Sequence, residues 1–252
     1  MPASPLLEAS EVTRRFGGLT AVDRVSLALE RDALHAVIGT NGAGKSTLVN
    51  ILSGELAPTS GTVTLLGRPV TRATQPQRAR AGLGRSYQRT TIFPPFTVLE
   101  NCRLAAQALD QRPWNWLSAA ARCPTSNERA RAALERAGLA AHADRPAGLL
   151  SHGGRRQLEI AMCLATEPQV LLLDEPLAGM GAEETERMLA LLVALKPHHA
   201  ILLVEHDMDA VFRVADRITV MVNGAAIASG SPAQIRADPE VQSAYLGENE
   251  PH

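Results

Sequence analysis

Hydrophobic positions follow three patterns along this chain. Between residues 6 and 30, apolar and polar residues roughly alternate (Val22, Val25, Leu27, Leu29), which predicts antiparallel strands with one buried face. Residues 33–39 (ALHAVIG) form an unbroken apolar run, the pattern of a strand buried on two faces. A glycine-rich turn follows, then a stretch of helical character over 47–56 and a short strand over 62–66 (TVTLL). From about residue 88 to 150 the β-branched clusters thin out and alanine and arginine dominate. Residues 129–138 (RARAALERAG) have helical spacing and end on glycine, a helix stop. This stretch reads as a helical subdomain inserted at about 88–160.

Beyond it the strand–helix alternation returns. Residues 170–174 (VLLLD) and 200–205 (AILLVE) read as buried strands around a helix over 183–195. Residues 217–222 and 225–229 suit a hairpin across Asn223-Gly224. The expected architecture is α/β: a mostly parallel sheet covered on both faces, an N-terminal antiparallel β subdomain and the helical insertion. A length of 252 residues suits one domain, 1–252, carrying that insertion rather than two independent domains.

Composition narrows the function classes. With 45% apolar and 20% charged residues the chain reads as a soluble globular protein, and 26 acids against 25 Lys plus Arg leave too little positive charge to hold a nucleic acid by charge alone. Cys102, Cys123 and Cys163 are widely spaced and lack CxxC, which argues against a disulfide framework or zinc site and suits a reducing cytosol. The start MPASPLLEASEV lacks the features of a secretory signal, and no stretch reaches the ~18 apolar residues of a membrane span. Work at a membrane would need other subunits to hold this chain there.

The chemistry begins after the first buried strand. Gly39-Thr40-Asn41-Gly42-Ala43-Gly44-Lys45-Ser46-Thr47 fits GxxxxGK[ST] between a predicted strand and a predicted helix. Glycines let several backbone N–H groups turn inward onto phosphate oxygens, and the helix start adds partial positive charge. Asn41, Gly42, Ala43, Gly44, Lys45, Ser46 and Thr47 are therefore candidates for a nucleotide polyphosphate, with Lys45 on the outer phosphates and the Ser46 hydroxyl on Mg²⁺. Far along the chain, VLLLDEP delivers Asp174 at a strand end, where parallel sheets bind ligands. Asp174 would hold Mg²⁺ through water, and Glu175 would polarise an attacking water. Without the phosphate loop, two acids there could equally be a solvated strand end. His206, in LLVEHDM, is either structural or a polar contact to a γ-phosphate.

Leu150-Ser151-His152-Gly153-Gly154 resembles the LSGGQ element that defines the ABC ATPase family, and it precedes VLLLDEP by that family's usual short helix. By the same resemblance, Gln88 in GRSYQRT matches the Q-loop glutamine, His206 the switch histidine, and Phe16 the aromatic that stacks on adenine. The order Phe16, Lys45, Gln88, Ser151, Asp174, Glu175, His206 is the family's order, and the resemblance covers nearly the whole chain. FGGLTAVDRVSL, GLGRSYQRTTIFPPFTVLEN, LSHGGRRQLEIAM, DEPLAGM, LLVEHDM and IRADPEVQSAYLGE are similar to ATPases of importers for branched-chain amino acids, amides and urea. The chain departs from the wider family at Thr40, for the usual proline, and at His152 and Gly154. Leu177-Ala178-Gly179-Met180 lacks the usual aspartate, which implies that the two ATP sites communicate through backbone contacts.

The resemblance implies an ATPase that uses ATP and Mg²⁺. Glu175, His206 and Gln88 would be catalytic, Ser46, Gln88 and Asp174 would serve the metal, and Ser151 and Gly153 would cap the γ-phosphate of a second subunit. Implied partners are transmembrane permease subunits, a second ATPase subunit (the same or paralogous) and, indirectly, a solute-binding protein, with no nucleic acid. The implied location is peripheral, at the cytoplasmic face of the inner membrane. An exporter ATPase for a lipid or polysaccharide is the alternative. DNA-repair and translation ATPases fit less well: only about a hundred residues, without heptads, separate the phosphate loop from Ser151, and the chain carries one cassette.

Overall fold

A computed structural model describes residues 4–87, 91–109 and 123–246. They fall into two compact units. One comprises Met1–Leu83, Gln169–Glu175 and Lys196–His252, and the other Gly84–Pro168 with Pro176–Leu195.

The first unit opens with strands β1 (Leu7–Phe16) and β2 (Leu19–Leu29), an antiparallel hairpin that turns at Gly17-Gly18. β4 (Ser60–Leu65) and β5 (Arg68–Pro69) extend this sheet in the order β2-β1-β4-β5. Its inward positions, among them Leu7, Ala9, Val12, Val25, Leu27, Leu29, Val63 and Leu65, share a core with Leu48, Val49, Ile51 and Leu52 of helix α1 (Lys45–Ser53). Alternation along the strands puts these side chains on one face.

The second sheet has the order β10-β9-β3-β8-β7-β6. β3 (Leu34–Gly39), β7 (Val170–Asp174) and β8 (Ala200–Val204) are buried at every residue, which is why their sequences run apolar instead of alternating. β9 (Arg217–Val222) lies parallel to β3, and β10 (Ala225–Gly230) returns antiparallel to β9. Asn223 and Gly224, at φ 48° and 85°, make the expected tight turn between them. The short β6 (Leu83–Arg85) ends the sheet order.

Helix α1 starts at Lys45, two residues before the pattern predicts, because Gly44 turns the chain at φ 96°; it stops at Gly54, at φ 81°. Its last carbonyls are closed by a side chain. Arg78, on the unpredicted α2 (Gln75–Arg80), is fully buried and donates to Ile51 O (2.8 Å), Leu52 O (2.7 Å), Thr71 O (3.2 Å) and Ala73 O (3.3 Å). Burial lowers its pKa to about 10. Helices α7 (Met208–Val214), α8 (Pro232–Ala237) and α9 (Pro239–Leu246) complete this unit.

The other unit is helical. α3 (Val98–Gln107) begins with a Thr97/Glu100 capping box and packs against α4 (Pro124–Arg136) and α5 (His152–Leu164). The predicted helix over 129–138 is the C-terminal part of α4, which starts earlier at Pro124, a residue well suited to a first helical turn. Gly138 follows at φ 71°. Alanines at 106, 130, 133 and 161 are buried in this packing, so the alanine-rich composition builds a close-packed bundle. α6 (Ala182–Leu195) belongs to the same unit.

Candidate functional site

Strand register assembles the first half of the site. Val37 of β3 pairs with Val204 of β8, and Asp174 of β7 pairs with the same Val204. The phosphate loop starts two residues beyond Val37, Glu175 follows Asp174, and His206 lies two residues beyond Val204. All three strands therefore deliver their candidate residues at the carboxyl edge of one parallel sheet, where open α/β sheets bind ligands.

In the loop, Gly42 and Gly44 take φ values of 80° and 96°, and a Cβ on Gly44 would stand 2.2 Å from the Ala21 carbonyl. No other residue fits there without moving backbone. The first helical bond runs from Leu48 N–H to Gly44 O (2.9 Å), so the N–H groups of Lys45, Ser46 and Thr47 have no acceptor within the helix. Asn41, Gly42 and Ser46 are exposed, Thr47 is half-buried and Ala43 is buried. Lys45 is 6% exposed and donates from Nζ to Gly39 O (2.6 Å) and Thr40 O (2.9 Å). Burial lowers its pKa, and the charges of Glu175 and Asp174 act in the opposite direction. The ammonium thus lies in the field of both acids.

Asp174 is buried at the end of β7. Glu175 adopts a left-handed φ of 50° while its N–H bonds Val204 O at 2.9 Å. Such strain in a non-glycine residue persists only where its surroundings enforce it, and it clusters at functional sites. The His206 side chain is 61% exposed, with Nδ1 3.8 Å from Oε2 of the fully buried Glu205, which also accepts the His206 N–H at 3.2 Å. Phe16 ends β1, 46% exposed, with the Arg14 guanidinium 4.6 Å from its ring centroid. Sequence reading missed Glu205 and Arg14; the first follows an apolar run like any strand end, and the second carries no motif that sets it apart from the other arginines.

Ser151 and Gly153, the candidates for a second subunit's phosphate, lie in the helical unit. Ser151 is the N-cap of α5, where its Oγ accepts the Gly154 N–H at 3.1 Å. The same hydroxyl donates to Oε1 of Glu184 at 2.7 Å, and the Gly153 N–H reaches that oxygen at 3.2 Å. The Ser151 hydrogen bond, more than any other influence, holds the Glu184 carboxyl below its usual range. Sequence reading missed Glu184 as well.

Gln88 lies outside the described residues. Its described neighbours are held by α5: Arg156 donates to Tyr87 O (2.9 Å), Thr91 N–H donates to Glu159 Oε1 (3.0 Å), and Arg156 and Glu159 pair at 3.0 Å. Burial raises the pKa of Glu159, and Arg156 opposes that rise.

This geometry offers backbone N–H donors, an ammonium and two carboxylates to an anionic, metal-bearing ligand. Comparison with known proteins shows the family. The ABC transporter family profile matches residues 22–178. The chain belongs to the ABC transporter family. As an ABC ATPase it binds and hydrolyses ATP. A second profile, that of the branched-chain amino acid ATP-binding cassette transporter, matches residues 227–251. The chain is 42% identical to the high-affinity branched-chain amino acid transport ATP-binding protein LivG of Salmonella typhimurium, over 98% of this chain and 99% of that one. It is 40% identical to the protein of the same description, BraF, of Pseudomonas aeruginosa, over 97% and 98%. A crystal structure of an ABC transporter's ATP-binding cassette in its ADP conformation superposes with a TM-score of 0.85 at 29% identity, covering 97% of this chain and all of that one. Among the described residues, no helix of this ABC ATPase is long and apolar enough to cross a membrane.

Proposed function

We propose that this chain is the ATPase subunit of an importer for branched-chain amino acids, with amides or urea as the nearest other cargo. The carrying observation is its near-full-length similarity to LivG and BraF, supported by the branch-specific match over residues 227–251. In this reading it lies at the cytoplasmic face of the cell membrane beneath transmembrane permease subunits. A second ATPase subunit, the same or paralogous, stands beside it, and a solute-binding protein delivers the cargo. No residue of this chain touches the solute.

The site residues take roles that follow from their chemistry. Phe16 offers one ring face to adenine. The N–H groups of residues 41–47 and the Lys45 ammonium hold the phosphates. Ser46 and Asp174 are hard oxygen donors, and among the described residues no cluster of three or more His, Cys, Asp or Glu could hold a metal alone. That combination fits Mg²⁺, which takes few protein ligands and completes its shell with phosphate oxygens and water. Asp174 would act through water, and Gln88 is assigned to the same ion. When bound, Mg²⁺ neutralises charge on the outer phosphates. Glu175 orients and deprotonates water, and His206 contacts the γ-phosphate. Ser151 and Gly153 of the second subunit cap that phosphate, so two subunits must close on ATP before hydrolysis, and hydrolysis lets them part.

Deletion of the gene tests the transport reading through uptake of radiolabelled leucine, short amides and urea. Loss of leucine uptake is expected. Unchanged uptake of all three, with failed export of a lipid or polysaccharide, would leave only the ATPase standing.

A further inference from the structure

The donors assigned to a second subunit's γ-phosphate already hold an anion. A serine hydroxyl has a single O–H to give, and that of Ser151 is given to Glu184 Oε1 at 2.7 Å. The Gly153 N–H, in the first turn of the 13-residue α5, is spent on the same oxygen at 3.2 Å. A carboxylate on a hydroxyl and a helix-start N–H takes the place that a phosphate oxygen would occupy.

We propose that Glu184 is an internal stand-in for the γ-phosphate, holding Ser151 and Gly153 until ATP bound to a second copy of this chain displaces it. The inference rests on the assignment of Ser151 and Gly153 made above. While the contact lasts, the hydroxyl cannot cap phosphate, and the carboxylate repels the incoming γ-phosphate as closure excludes water. The exchange is undemanding. Glu184 is in the first turn of α6, where the helix start and the N–H of Gly181, the residue before it, also favour its charge, so a displaced carboxylate keeps favourable surroundings at the start of its own helix. Ser151 keeps its Gly154 N–H bond without Glu184, so the start of α5 does not depend on the latch. The contact therefore raises the ATP concentration at which two copies close.

Gel filtration across an ATP and Mg²⁺ titration tests this, in a Glu175→Gln background that prevents hydrolysis. Glu184→Gln keeps the shape and an acceptor oxygen but removes the charge, and Glu184→Ala removes the contact. In each, the ATP midpoint for dimerisation should fall about three- to tenfold, the scale of one exposed charge-assisted hydrogen bond. Affinity of the monomer for ADP should hold steady. An unchanged or higher midpoint, where Glu175→Gln alone dimerises with ATP, would show that Glu184 merely supports the Ser151 turn and would end the proposal. Failure of Glu175→Gln alone to dimerise would instead remove the assignment of Ser151, and the inference with it.

Discussion

The phosphate loop and the Ser151 turn both present helix-start N–H groups to an anion, yet the chain builds them differently. The loop is fixed by the core. Three fully buried strands end at its edge, Gly44 is pressed against the Ala21 carbonyl, and Lys45 is tied to two carbonyls of its own loop. The Ser151 turn stands at the surface of the helical unit, tied to one half-buried carboxylate. Neutral carbonyls restrain the lysine without competing for phosphate, whereas a carboxylate competes directly. One half is ready for nucleotide, and the other must be released.

Substitutions that separate chemistry from assembly test the comparison hardest. Glu175→Gln removes the carboxylate proposed to activate water and leaves Asp174 in place. Turnover should drop about a hundredfold to ten-thousandfold while ATP affinity is retained, as read by phosphate release and titration calorimetry. Near-normal turnover would remove Glu175 from its role. Ser151→Arg acts on the other half. It should cut cooperative hydrolysis about a hundredfold, the scale of losing a donor to developing charge, and leave the affinity of the isolated monomer for ATP intact.

Lys45→Ala should do the reverse, weakening monomer affinity for ATP about 10- to 100-fold through loss of charge-assisted contacts. Calorimetry on both variants decides the matter: equal loss of monomer affinity would contradict a site shared between two subunits.

The same contrast explains what the sequence made legible. β3, β7 and β8 are visible because burial on two faces demands unbroken apolar runs, and the β9–β10 hairpin because Asn223-Gly224 supplies two positive φ values in succession. The phosphate loop and the Asp174-Glu175 pair are legible because their chemistry is contiguous in the chain. Short helices were harder. α2, α3 and α8 announce themselves by Thr74/Gln77, Thr97/Glu100 and Ser231/Gln234 capping boxes rather than by a long apolar period, and none emerged from periodicity. Glu184 was illegible for a different reason. It is one of several glutamates on α6, and its partner is 33 residues away, brought to it only by folding.

Acid offers the mildest way to divide the two halves. His35, on the strand that leads into the phosphate loop, is buried; its Nε2 meets Thr219 Oγ1 at 2.8 Å and its Nδ1 the Ala28 carbonyl at 3.2 Å. Burial lowers its pKa from 6.5 to about 4. The folded state therefore keeps a neutral imidazole through a range in which the unfolded chain takes up a proton. Its contribution is level above about pH 6.5, declines as pH falls, and levels off again below about 4, costing roughly 2 kcal/mol by pH 5. The Glu184 carboxyl is shifted down from its usual range, so it keeps its charge at pH 5. Denaturant unfolding at pH 7.5 and pH 5 should show a decline in the native protein that His35→Gln largely lacks, whatever that substitution costs at pH 7.5. Equal declines in both proteins would mean that some other group governs acid sensitivity. A decline confined to the native protein would assign that part of the acid sensitivity to His35, on the strand that leads into the phosphate loop.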